Sequence, residues 1–122
     1  MTETRSYRDL QVWRRALDWA EAVYRISKRW PSDERFGLTS QARRAAVSIA
    51  ANIAEGAGRR TTGEFLQFVG IAKGSLAEAE TLLLLSARLA YTPEDEIDDL
   101  INEANEIGRM LSGLSSSLSA RR

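Results

Sequence analysis

Six polar side chains between Gly37 and Arg60, namely Gln41, Arg44, Ser48, Asn52, Glu55 and Arg59, follow one another at spacings of three or four residues. On an α-helix that spacing aligns them along one side. Leu38, Ala42, Ala45, Ala46, Ile49, Ile53 and Ala57 recur with the same period and form a small apolar stripe on the opposite, buried face. The polar row, expected on the outer side, is either a recognition surface or the solvated face that most surface helices carry.

Phosphate binding is the chemistry these residue types favour, because a guanidinium matches phosphate in geometry and keeps its charge at any working pH. The candidates for nucleic acid are Arg43, Arg44, Arg59, Arg60 and Lys73, with Arg14, Arg15, Lys28 and Arg29 as a weaker second group. Arg14 with Asp18, and Glu21 with Arg25, stand four residues apart and are expected to pair on a solvated face. There is no aromatic RNP segment and no GXXG loop, so binding would be led by the backbone and weakly sequence-specific.

Catalysis has little to work with. The chain has no cysteine and no histidine, which removes thiolate and imidazole metal sites, cysteine nucleophiles and histidine-dependent triads. No cofactor or metal is expected. Glu78 and Glu80 flank Ala79 and should diverge to opposite sides of an inward stripe. The segment Glu55-Gly56-Ala57-Gly58-Arg59-Arg60 follows no strand, so it is a helix-to-helix turn and not a phosphate loop. These features argue against an enzyme.

The elements that position these residues are helices. The 122 residues fit one domain, 1–122, and 43% apolar with 28% charged residues suits a helical protein. Periodicity and breakers predict four helices at about 9–30, 39–57, 62–90 and 93–117. Pro31 stops the first. Gly56 and Gly58 are expected to end the second in the left-handed conformation that glycine takes readily. Thr61 and Glu64 have capping-box spacing, and Thr92-Pro93 followed by Glu94, Asp95 and Glu96 announces the fourth helix with Thr92 as N-cap. The serine-rich end Ser115 to Arg122 is expected to fray. The fold predicted is all-α, an up-down-up-down antiparallel four-helix bundle. No apolar run reaches the ~20 residues of a membrane span and no signal peptide is evident, so a cytoplasmic location without membrane contact is expected.

Two helices carry more apolar surface than one bundle can hide. The first has a stripe at Leu10, Trp13, Leu17, Ala20 and Tyr24 beside another at Val12, Ala16, Trp19, Val23, Ile26 and Trp30. The third packs inward through Phe65, Phe68, Val69, Ala72, Leu76, Ala79 and Leu83, while Leu66, Ile71, Leu84 and Leu85 project elsewhere beside Gly70 and Gly74. Glycine inside a helix costs roughly 0.5–1 kcal/mol relative to alanine, and close approach of a neighbouring backbone would compensate. An oligomer interface at Gly70, Gly74, Leu66 and Ile71 is therefore expected. Charge is uneven along the chain: Met1 to Lys73 holds thirteen basic against eight acidic residues, and Gly74 to Arg122 four against nine. The asymmetry allows an anion-binding face and equally lets the acidic part of one subunit meet the basic part of another.

Leu38-Thr39-Ser40-Gln41, Arg43-Arg44-Ala45, Asn52-Ile53-Ala54-Glu55-Gly56 and Ala72-Lys73-Gly74-Ser75-Leu76-Ala77-Glu78 give the chain a further identity. Over Tyr7 to Tyr91 it resembles the four-helix-bundle proteins encoded within 23S rRNA intervening sequences, a family similar to the accessory variability protein of diversity-generating retroelements. It departs from many members at Ala50-Ala51, where they have Pro-Ser. The resemblance implies a ring-like homopentamer with no established enzymatic activity, and nucleic-acid binding through basic surface as in the retroelement relative. Two functions stay open: an oligomer that binds RNA or DNA, and an oligomeric scaffold that binds another protein through Trp19, Trp30 or the acidic fourth helix. They differ in whether Arg43, Arg44, Arg59 and Arg60 are available or are paired with acids.

Overall fold

Apolar periodicity decides where each helix lies in the computed structural model, which describes residues 6–121. After a 3-10 turn at Tyr7–Asp9, α1 spans Gln11–Ser27 and buries Val12, Ala16, Trp19, Ala20, Val23 and Ile26. Helix α2 spans Leu38–Ala57, α3 Thr62–Arg88 and α4 Glu94–Arg121. Sequential helices pack side by side and α4 closes back on α1, so the chain is an antiparallel four-helix bundle. Among the described residues there is no strand.

The predicted first helix ends early. Arg29 and Trp30 amides bond the carbonyls of Ile26 and Ser27, three residues back, and Pro31 then removes the next donor. The connection to α2 contains a second 3-10 turn, Ser32–Glu34, whose Glu34 reaches forward to accept the Leu38 amide at 3.0 Å. That carboxylate supplies the cap that Gly37 cannot.

Neither glycine at the end of α2 is left-handed, contrary to the sequence expectation, since every described glycine has negative φ. Gly56 is needed for space: a Cβ there would stand 2.8 Å from Phe68 Cβ and 2.9 Å from Phe65 Cδ1. Helix α2 is lined with Ala42, Ala45, Ala46 and Ala50, so it lies close to α3 along its whole length. The left-handed position occurs after α3, at Ala90, φ 63°.

The Thr61 hydroxyl accepts from the Glu64 amide and the Glu64 carboxylate from the Thr61 amide, the capping box read from the sequence. At α4 the helix starts at Glu94, and the Pro93 carbonyl accepts its first amide bonds. The Thr92 hydroxyl turns into the core, where it accepts from Trp30 Nε1 at 2.7 Å and meets Ser86 Oγ at 3.1 Å. The serine-rich end does not fray within the described residues: α4 stays helical to Arg121 because Leu111 and Leu118 remain buried. Arg122 lies outside the described residues. Trp19 is 2% exposed and donates its indole N–H to the Leu100 carbonyl at 3.0 Å, avoiding the roughly 1–3 kcal/mol that an orphaned buried donor costs.

Candidate functional site

The polar row of α2 lies along the seam with α3, not on the far side of the helix. Ala45, in the middle of the row, is buried. Ser48 Oγ is 2.8 Å from Ser75 Oγ of α3, and Asn52 Nδ2 donates to both the Ser48 carbonyl and its hydroxyl at 2.8 Å. Ser48 therefore joins the two helices, and Asn52 holds its hydroxyl in place from within α2. Above them Gln41, Arg44 and Glu78 rim a polar cleft of about 560 Å³ floored by Ala45 and the serine pair. Arg44 and Glu78 are exposed and form no ion pair with each other.

The five cations read from the sequence do not gather into one patch within a subunit. Arg43 turns toward α1, where its Nε donates to Ser27 Oγ at 2.8 Å and its guanidinium also reaches the Tyr24 carbonyl at 3.2 Å. Its neighbour Arg44, a hundred degrees round the helix, rims the α2–α3 cleft. Arg59 stands 3.8 Å from Glu55 and 4.9 Å from the centre of the Phe68 ring. Arg60 is exposed in the following turn, and Lys73 lines the groove between α3 and α4 with Glu80 and Arg109. Arg44, Arg60 and Lys73 thus make no ion pair or side-chain hydrogen bond among the described residues, while Arg43 and Arg59 are engaged inside the subunit.

Glu78 and Glu80 diverge as expected, the first into the α2–α3 cleft and the second into the α3–α4 groove. Partial burial raises the Glu80 carboxyl above its ordinary value. Glu21 pairs with Arg25, but Arg14 does not pair with Asp18; it donates to the Arg8 carbonyl at 2.7 Å. Arg29 is held by Glu96 and Arg15 by Glu106, so the α1–α4 groove has its cations neutralised.

Of the residues expected at an interface, Gly70, Gly74 and Ile71 face outward. A Cβ added at Gly70 or Gly74 would meet nothing within 4 Å. Ile71 between them is 46% exposed, Leu84 and Leu85 further along α3 are 49% and 42% exposed, and Leu66 is half-buried against the core. A separate apolar group, Leu17, Tyr24 and Val47, is exposed on α1 and α2. Trp19 and Trp30 are buried and cannot anchor a partner. Among the described residues no three His, Cys, Asp or Glu side chains converge as metal ligands, and no helix is long and apolar enough to cross a membrane.

Comparison with known proteins supplies a context for this geometry. The family model described as 23S rRNA-intervening sequence protein matches residues 8–113. A crystal structure from Bacteroides thetaiotaomicron, of a protein of unknown function in the S23 ribosomal protein family, superposes with a TM-score of 0.79. It is 24% identical, and the match covers 86% of this chain and 95% of that one, a likeness of fold. No curated protein matches the sequence.

Proposed function

Given that this chain belongs to the 23S rRNA-intervening sequence protein family, we propose that it is a non-enzymatic, homo-oligomeric bundle, ring-like and pentameric, that binds nucleic acid through basic surface. The observation that carries the assembly is the outer face of α3. Gly70 and Gly74 open onto it beside the exposed Ile71, and the exposed Leu84 and Leu85 follow about 15 Å further along the helix axis. Exposed apolar residues gathered on one side of a helix mark interfaces. The Leu17, Tyr24 and Val47 group is a different surface, and contact between two unlike faces is heterologous, the kind that closes into a ring.

Nucleic-acid binding rests on Arg44, Arg60 and Lys73, which make no ion pair among the described residues. One subunit offers little potential from three separated cations, but a ring repeats them about an axis. A second reading, an oligomeric scaffold for a protein, is favoured by Phe36, 85% exposed in the loop before α2 with Arg35 stacked on it. The test follows mass by light scattering together with binding of single- and double-stranded RNA and DNA across a salt series. Gly70→Leu with Gly74→Leu should reduce the mass to that of a monomer, and an unchanged mass would remove this interface. Binding that weakens steeply with salt supports the nucleic-acid reading. An intact oligomer that binds none at low salt leaves the scaffold.

A further inference from the structure

The start of the chain brings aromatic rings and guanidinium groups together at one end of the bundle. Tyr7 and Trp13 meet edge to face, with ring centres 5.1 Å apart, and both are half-buried. Arg8 lies 5.8 Å from the Tyr7 ring centre, and Arg14 is tied back to the Arg8 carbonyl, so two exposed guanidinium groups flank the aromatic pair. The Tyr7–Asp9 turn also packs on α2. Because α1 and α2 are antiparallel, it sits beside the end of α2 and the turn that carries Arg60. Of the described acids at this end, Glu55 is engaged by Arg59 and Glu64 by the capping box, which leaves Arg8, Arg14 and Arg60 against Asp9 among the described residues.

We infer that this end of the bundle is a docking surface for single-stranded nucleic acid, with Arg8, Arg14 and Arg60 on phosphates and Tyr7 and Trp13 stacking on bases. The inference deepens the nucleic-acid reading above and rests on it. Stacking needs an unpaired base, whose face every nucleotide offers, so the surface selects single strands with little regard to sequence. Paired bases in a duplex hide those faces, and a protein with cations alone would not discriminate. An end surface also stays accessible when the outer face of α3 is covered by another subunit.

Tryptophan emission tests this directly, since Trp19 and Trp30 are buried with their indole N–H groups bonded and Trp13 is the partly exposed one. A uridine oligonucleotide titrated into the intact protein should quench the emission, and a duplex of the same length should not. Trp13→Phe should remove the quench while retaining most of the affinity. Arg8→Glu with Arg14→Glu should weaken binding at least tenfold and lower the salt slope by about one for each arginine, with an unchanged circular-dichroism melt. Tyr7→Leu, which keeps every charge, should weaken single-strand binding without altering that slope. Salt-sensitive binding that is the same in the arginine pair variant, or equal for duplex and single strand without quenching, would overturn this assignment and leave Arg44 and Lys73 as the phosphate contacts. Absence of binding to any strand at low salt would overturn both readings.

Discussion

The Arg43 guanidinium lies 4.7 Å from the centre of the Tyr24 ring, with its Nε bonded to Ser27 Oγ below. This stack ties α2 to α1 and takes a cation off the surface. Arg43→Ala is expected to destabilise the bundle by about 1–2 kcal/mol, from a lost charged hydrogen bond and cation–π contact. It should leave the salt dependence of nucleic-acid binding unchanged. Arg44→Ala reverses the pattern: stability within about 0.5 kcal/mol of the parent, and a smaller salt slope. Urea denaturation beside a salt titration of each variant separates the two roles.

Thr92 offers a sharper test of the core. Its hydroxyl is the acceptor for Trp30 Nε1 and a neighbour of Ser86, whose own hydroxyl donates to the Leu83 carbonyl at 2.6 Å. Thr92→Val keeps the shape and strands the buried indole N–H, at a cost of roughly 1–3 kcal/mol. Thr92→Ser should recover most of that loss. Equal urea midpoints for the valine and serine variants would mean that the hydrogen bond contributes nothing.

Those two residues also mark the limit of what the sequence discloses. Thr92 has every local property of an N-cap, and only the arrival of Trp30 from 62 residues away draws its hydroxyl inward. Helix period, the capping box and the apolar stripes are local, so four helices and their inward faces are legible. Gly56 and Gly58 suggested a left-handed turn because the neighbours that require Gly56, Phe65 and Phe68, belong to another helix. Arg43 and Arg44 are adjacent and identical, and only the position of α1 spends one and leaves the other. The polar row was legible as a row, but the hydroxyl of Ser75 that turns it into a seam was not. Tyr7 carries no signal in sequence and Arg14 reads only as a weaker phosphate candidate paired with Asp18, because the turn that folds them together has no strong local signature.

Ala90 holds a conformation its side chain opposes. Tyr91 N bonds the Ser86 carbonyl at 2.9 Å and Ala90 N the Ala87 carbonyl at 3.0 Å, a Schellman ending whose left-handed position usually belongs to glycine. Ala90 is exposed, so no packing is lost with its methyl. Ala90→Gly should stabilise the protein by roughly 0.5–1 kcal/mol, strain relief outweighing the extra freedom of the unfolded chain. A lower melting temperature would contradict this.

Two carboxyls give the stability opposite responses to pH. Glu34 is held below its ordinary 4.5 because it accepts the Leu38 amide and then the Tyr91 hydroxyl, at 2.9 Å. Its unfolded form takes up a proton first, so its contribution is complete above the ordinary carboxylate range and disappears as pH falls through the lowered value. Glu80 is raised above 4.5 by burial, so the folded form holds its proton longer, and stability falls as pH rises from 4.5 through the raised value. Glu80→Gln should therefore stabilise the protein at neutral pH and make no difference in strong acid. Glu34→Gln should be destabilising at neutral pH, with the difference shrinking toward strong acid. Urea midpoints of both variants measured from neutral to strongly acidic pH distinguish these signs, and a Glu80→Gln variant weaker than the parent at neutral pH would show that its carboxylate is paired and not merely desolvated.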